Sequence, residues 1–201
     1  MIDYKRFQWI NPGNMRLEAG KLIIDAPAKT DFFCGGEDLS EEGIIPVSLC
    51  NAPYLYTEVE GDFVLTVKVS HAFKDTYDSA TVMVMKDMKN WAKACFELTD
   101  FGTHAAVSVV TKNGESDDAN GCNISGQDYA WLRVCRVGNE FGFQYSADGV
   151  HFYMTRDFRL SVEKTVKVGF MAQAPQGGGG ERVYEDIRME HKTVKNVRNG
   201  E

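Results

Sequence analysis

The chain has no C-x-x-C pair, no apolar run approaching the ~18 residues of a membrane span, and no basic cluster outside its last few positions. Each absence removes a class of protein. The cysteines, Cys34, Cys50, Cys95, Cys122 and Cys135, are odd in number and scattered, and His71, His104, His151 and His191 lie equally far apart. A structural zinc site needs its ligands in closer sequence groups, so neither a metal nor another cofactor is expected. The start, MIDYKRFQWI, lacks the ~7–15-residue apolar stretch of a secretion signal, so reduced thiols in a cytoplasmic protein are expected. A net charge of −7 opposes binding to a phosphate backbone, which argues against a nucleic-acid partner. The basic tail around Lys192, Lys195 and Arg198 reads as a solvated end. Membrane attachment has no support, and oligomeric state leaves no sequence signature.

What is present is period-two alternation. In DFVLTVKVS (62–70), Phe63, Leu65, Val67 and Val69 alternate with Val64, Thr66 and Lys68, the signature of a strand with one buried face. KLIIDA (21–26) ends at Pro27, and ATVMVM (80–85) is apolar on both faces. WAKACFEL (91–98), AAVSVVT (105–111), WLRVCRV (131–137), FGFQYS (141–146), VKVGFMAQA (166–174) and VYEDIRME (183–190) complete the strand series. Gly138-Asn139 and Ala147-Asp148-Gly149 are tight-turn chemistry. NGESDDANG (113–121) reads as a polar loop and PQGGGG (175–180) as a flexible connection. Strands at this spacing, without amphipathic helices between them, predict one all-β sandwich or barrel domain over residues 1–201.

The order YDSATVMV (77–84), WAKACFEL, VVTKNGESDD (109–118), WLRVCR, QYSADGVHF (144–152), Arg156 and VGFMAQAPQGGGG (168–180) resembles a concanavalin A-like lectin/glucanase-fold family of unassigned function. TDFF (30–33) and YLYTEVEGDFVLTVKV (54–69) extend the resemblance over most of residues 30–190. The family's named eukaryotic relative is the yeast protein called regulation of enolase. The resemblance implies a concanavalin A-like jelly-roll sandwich of two antiparallel sheets, one convex and one concave. It implies no particular reaction.

Parity selects the candidate site. Along 91–98, Ala92, Ala94, Phe96 and Leu98 form a core face, leaving Trp91, Lys93, Cys95 and Glu97 opposite. Along 131–136, Leu132 and Val134 are core, leaving Trp131 and Arg133 opposite. An aromatic face that stacks on a pyranose, beside charged groups that bond its hydroxyls, suits sugar recognition. Trp91, Lys93, Glu97 and Arg133 are therefore the expected lining of one concave cleft, with Gln144 and Gln173 at its rim. The structural alternative is a Glu97–Arg133 salt bridge fixing sheet register. Glu97 is the weak catalytic candidate, but the Glu-x-Asp-x-x-Glu strand of glucanases is missing, which leans against an enzyme. The acidic group Glu115, Asp117 and Asp118 reads as a solvated turn, with a calcium-type cluster as its alternative. Three readings stay open. The first is a carbohydrate-binding, lectin-like domain for a sugar or a sugar phosphate, whose anionic group would meet Lys93, Arg133 or Arg136. The second is a protein-interaction or regulatory domain acting on a metabolic enzyme. The third is a glycan-active hydrolase.

Overall fold

A computed structural model describes residues 3–35 and 48–201, and its described residues form two large antiparallel sheets with one 3-10 turn, Tyr4–Arg6. Strands are numbered in chain order. The first sheet runs β1 (Gln8–Ile10), β6 (Tyr54–Glu60), β15 (Thr165–Gln173), β8 (Ser79–Asp87), β9 (Asn90–Leu98), β10 (His104–Lys112) and β11 (Glu115–Asn123). The second runs β14 (Tyr153–Arg159), β13 (Glu140–Ser146), β12 (Tyr129–Val137), β7 (Phe63–His71), β16 (Gly179–Glu190), β3 (Lys21–Pro27) and β2 (Met15–Glu18). A short pair, β4 (Phe32–Phe33) and β5 (Leu49–Cys50), lies apart from both. Stacked in this way, the sheets form the sandwich that the alternation predicts, of the jelly-roll-like kind that the resemblance implies.

The core lies between the sheets and takes one parity from each strand. Phe63, Leu65, Val67 and Val69 of β7 lie across from Val82 and Val84 of β8, and Leu132 and Val134 of β12 across from Ala92, Ala94 and Phe96 of β9, with Phe141, Phe143, Val168 and Phe170 around them. Small residues on β9 face large ones on β12, which lets the layers interdigitate at interior packing density.

The first sheet carries a second apolar cluster on its outer face. Met83, Met85, Trp91, Tyr54, Val109 and Met171 are closed over by Phe32 and Ala52. This explains why 80–85 is apolar on both faces.

Three loop or tail expectations are corrected. Residues 113–121 are not a loop. Asn113 and Gly114, at φ +55° and +86°, form the tight turn into β11, which pairs along β10 from Lys112↔Glu115 to Ala105↔Asn123. The strand is polar because it is an edge, where charged side chains block further pairing. Of the glycine run, Gly179 and Gly180 already pair with Pro27 and Ala26 as the start of β16. The C-terminal tail is docked rather than free. Val194 packs with Val64 and Cys135 on the outer face of the second sheet, and the Gln144 side-chain amide donates to the Val197 carbonyl. Lys192, Lys195 and Arg198 themselves stay exposed.

Candidate functional site

Sheet register gathers polar side chains at one end of the first sheet's outer face. Across β15, β8, β9 and β10, Gln173 pairs with Ser79, Ser79 with Glu97, and Glu97 with Ala105. Four residues along, Met83, Lys93, Val109 and Asp118 form a parallel row through to β11. At ~4.8 Å per strand, the Cα atoms of Lys93 and Asp118 are about 10 Å apart. The chain between β3 and β4 then folds across the sheet and brings Asp31 down onto this surface.

The resulting network is specific. Lys93 Nζ lies 2.9 Å from Asp31 Oδ1 and 2.7 Å from Gln173 Oε1. Gln173 Nε2 donates to the Tyr77 carbonyl at 3.0 Å and to Glu97 Oε2 at 3.4 Å. Lys93 is 2% exposed and Glu97 6%. Desolvation opposes the Lys93 charge, yet Asp31, Cys95 and Glu97 outweigh it and raise the ammonium pKa above its usual range. Burial holds the Glu97 carboxyl well above the ordinary carboxylate value. Lys93 counters that shift, while Asp118, Asp31 and Asp100 add to it. Asp118, open to solvent on one side, shifts in the same direction through partial desolvation, with Lys93 opposing and Asp31 and Asp100 adding. Cys95 at the floor is pushed up to about 12 by burial, which leaves it an inert thiol rather than a nucleophile.

Tyr77 supplies the aromatic. Its ring is half-buried, and desolvation raises its phenol, with Asp100, Glu97 and Asp118 contributing after it. Its φ is +68°, a conformation that costs a bulky residue about 1–3 kcal/mol and collects at functional sites. Neighbouring contacts hold it there. The Tyr77 N–H donates to the Leu98 carbonyl at 2.7 Å, and buried Asp78 lies 3.0 Å from the Arg182 guanidinium. Arg182 in turn donates to the Ser79 and Gln173 carbonyls, tying the ends of β8 and β15 together.

Of the residues expected to form one cleft, Lys93, Glu97 and Gln173 meet. Trp91 shares their face but is fully buried edge-on to Phe32, ring centroids 5.7 Å apart, so it is core rather than a stacking platform. Arg133 and Gln144 do not belong to this site. They leave the core face of the other sheet and point to the opposite outer surface of the sandwich. There the Arg133 guanidinium carbon sits 3.4 Å above the Phe152 ring, and Gln144 accepts from Cys135 as well as bonding the tail. No Glu97–Arg133 bridge forms, because the two strands lie in different layers. Arg136 is consumed by the carbonyls of Gly138, Glu163 and Lys164. The acidic run 115–118 divides by parity. Asp117 pairs with Arg156 at 2.7 Å across the sandwich edge, whereas Asp118 faces the site. Among the described residues, no three His, Cys, Asp or Glu side chains are placed to hold a metal ion.

Comparison with known proteins adds the following. The chain is similar to a functionally unknown protein from Saccharomyces cerevisiae, 25% identical with a TM-score of 0.82, over 96% of this chain and 100% of that one. It is similar in fold to the carbohydrate-binding module CBM66 from Bacillus subtilis, 12% identical with a TM-score of 0.59, over 92% and 95% of the two chains. It is likewise similar in fold to xylan beta-1,4-xylosidase from Bacillus halodurans C-125, 12% identical with a TM-score of 0.66, over 86% of this chain but only 33% of the enzyme. No curated protein matches. Residues 9–192 match the family described as "Protein of unknown function (DUF1349)", and over that span, nearly its whole length, the chain belongs to the DUF1349 family.

Proposed function

We propose that the domain binds a carbohydrate at the polar end of the first sheet's outer face, between Tyr77, Glu97, Gln173 and Asp118. The observation that carries this reading is Glu97. It is 6% exposed, yet among the described residues its one hydrogen bond is the 3.4 Å contact from Gln173. Its other oxygen has no such bond among the described residues, and a ligand hydroxyl placed against it would supply one. A half-buried aromatic ring beside carboxyl and amide groups is the combination that pyranose recognition uses. The strands and the Lys93–Asp31 pair hold these groups in place before any ligand arrives, which lowers the entropy lost on binding. The sandwich architecture shared with a carbohydrate-binding module is consistent with this use of the fold, although fold alone does not select it.

The test is a thermal-shift and glycan-array screen of the full chain beside Glu97→Ala. Saccharide-dependent stabilisation of the wild type that disappears in a folded Glu97→Ala variant is the expected result. A hit that survives Glu97→Ala would move the site elsewhere. A screen empty of saccharides would turn attention to the regulatory reading, in which the domain acts on a metabolic enzyme.

A second reading has one observation in its favour. Burial raises the Glu97 carboxyl well above its ordinary value, the direction that a glycosidase general acid needs. Release of reducing ends from any hit in the screen, lost in Glu97→Gln, would select it.

A further inference from the structure

The segment that crosses the first sheet's outer face has an outgoing and a returning leg, and each leg carries a cysteine. The outgoing leg starts beside β15, where the Lys29 and Thr30 N–H groups donate to the Ala174 carbonyl. It reaches β11, where the Cys34 N–H donates to Ser116 Oγ at 2.9 Å and the Ser116 N–H donates to the Cys34 carbonyl at 3.1 Å. The returning leg is held by Asn11, whose side-chain amide donates to the Cys50 and Ala52 carbonyls. Between the legs, Phe32 pairs with Cys50 and Phe33 with Leu49, and the Asp31 carbonyl accepts from the Asn51 and Ala52 N–H groups. The backbone of each cysteine is thus fixed by a partner of its own, Ser116 for Cys34 and Asn11 for Cys50.

These fixed legs bring two thiols together. Cys34 Sγ lies 3.6 Å from Cys50 Sγ, and both residues are half-buried, within reach of a small solute. Cys95 and Cys135 are buried, and Cys122 is exposed. The β4–β5 register puts Cys34 diagonally across from Cys50, where Cα atoms stand about 7 Å apart, the upper end of what a disulfide spans.

We infer that Cys34 and Cys50 form a reversible redox pair, oxidised by a low-molecular-weight disulfide to an intramolecular bond that clamps the crossing segment over the first face. The chemistry balances as two exchanges. The Cys34 thiolate attacks one sulfur of the small disulfide, whose S–S bond breaks and whose departing thiolate takes a proton from solvent. Cys50 then gives its proton to solvent, and its sulfur attacks Cys34 Sγ and expels the second small thiol. Two protein thiols are oxidised, and one small disulfide is reduced to two thiols. Burial, with the Cys34 sulfur beside it, pushes the Cys50 thiol up to about 12, which suits Cys50 to the second step. A bond across a diagonal at a half-exposed position is of the readily reduced kind, so the pair switches rather than staples. Closing it joins the legs on either side of Asp31 and Asn51, and Asp31 is the counter-ion of Lys93. The bond forms whatever binds near Glu97.

The experiment uses the full chain carrying Cys122→Ser, so that the exposed thiol cannot compete. The protein is held at pH 7.5 without oxygen in mixtures of reduced and oxidised glutathione, quenched with acid and weighed intact. The expected product is lighter by two hydrogens, carries no glutathione and returns to the dithiol in dithiothreitol. Proteolysis after glutamate separates the two cysteines in sequence at Glu37, Glu41 and Glu42, and should leave their fragments joined. A bond between positions 34 and 50 restricts the unfolded chain, so the melting temperature should rise by about 5 °C. Amide exchange at Asn51 and Ala52 should slow, while that of β7 and β12 stays unchanged. Cys34→Ser and Cys50→Ser, which keep the side-chain size, should each stop at a mixed disulfide or give no product. A lasting glutathione adduct on the protein with both thiols, or a bond between other cysteines, would overturn the inference. So would closure that occurs only in denaturant, or a closed bond that lowers the melting temperature.

Discussion

The two outer faces of the sandwich begin from the same short pattern and end differently. β9 presents Trp91, Lys93 and Cys95 away from the core, and β12 presents Trp131, Arg133 and Cys135 in the same order. On the first face the cation enters a buried network with Asp31 and Gln173, and the tryptophan disappears under Phe32. On the second, Arg133 makes no ion pair among the described residues. It stacks on Phe152 and bonds Thr66 Oγ1 at 3.3 Å, while Trp131 stays half-buried with Gly149 held against its ring. What differs is the covering chain. Asp31 and the β4–β5 pair after it bring a carboxylate and two phenylalanines to the first face, whereas residues 191–201 bring Val194, the Val197 carbonyl and Gly200 to the second. Strand parity decides that a side chain leaves the core. The segment laid over the sheet decides whether it becomes part of a charged site or a packed surface.

The largest break in the comparison is expected at Lys93. Lys93→Ala strands Asp31, itself only 8% exposed, without its counter-ion and removes a partner of Gln173. Breaking a buried pair from one side typically costs about 3–5 kcal/mol. Urea unfolding should report a loss of that order. Adding Asp31→Asn should recover part of it, since the uncompensated charge is then gone. A loss below about 1 kcal/mol for Lys93→Ala would mean that Asp31 finds water, and that the first face is as open as the second.

A smaller and pH-dependent contrast is expected at Glu97. Its folded carboxyl titrates above the ordinary value of 4.5, so the folded chain keeps a proton that the unfolded chain has lost. The contribution to stability is therefore full below about pH 4.5 and declines as pH rises through the folded value. Glu97→Gln removes that decline. The melting temperature of the variant should approach or exceed that of the wild type at pH 8 and gain less at pH 4. On the second face Glu185 shifts the opposite way, its partial desolvation outweighed by Lys21 and Lys68, which lower it, and Cys135 is pushed up to about 11 by burial, so neither adds such a decline. A Glu97→Gln difference that is flat from pH 4 to 8 would mean that Glu97 is ionised in the fold.

How much of this was legible in sequence follows from where the information sits. The sandwich was readable because alternation such as Phe63, Leu65, Val67 and Val69 is local, and the same reasoning placed Lys93, Glu97 and Gln173 away from the core. Arg133 and Gln144 went to the wrong place for a related reason. Parity says that a residue leaves the core, but a two-layer sandwich has two outer faces, and only strand order distinguishes them. Asp31 and Asp118 depend on register across several strands and on a crossing segment, and no single strand encodes either. Asp118 was further hidden by the polarity of β11, although Asn113-Gly114 was a hairpin signal lying in plain view. Tyr77 stood inside a motif that carried the family resemblance, but a left-handed tyrosine backbone leaves no mark in composition.

The smallest effect is expected at Arg133, and it separates the two faces most sharply. Had Arg133 been the partner of Glu97, Arg133→Ala would have cost about 3–5 kcal/mol as the loss of a buried pair. The geometry instead gives it a stacking contact with Phe152 and one hydrogen bond to Thr66. A cation over an aromatic ring at a partly exposed position is worth about 0.5–1 kcal/mol. The tail over Cys135 remains anchored through Val194 and the Gln144 bond to Val197, so the variant should stay folded and lose about 1 kcal/mol or less in urea unfolding. Any saccharide-induced thermal shift should be unchanged, because no part of Arg133 reaches the face that carries Glu97. Loss of that shift in a folded Arg133→Ala protein would place the ligand on the second sheet, between Arg133, Trp131 and Tyr129, and would make the first face the structural one.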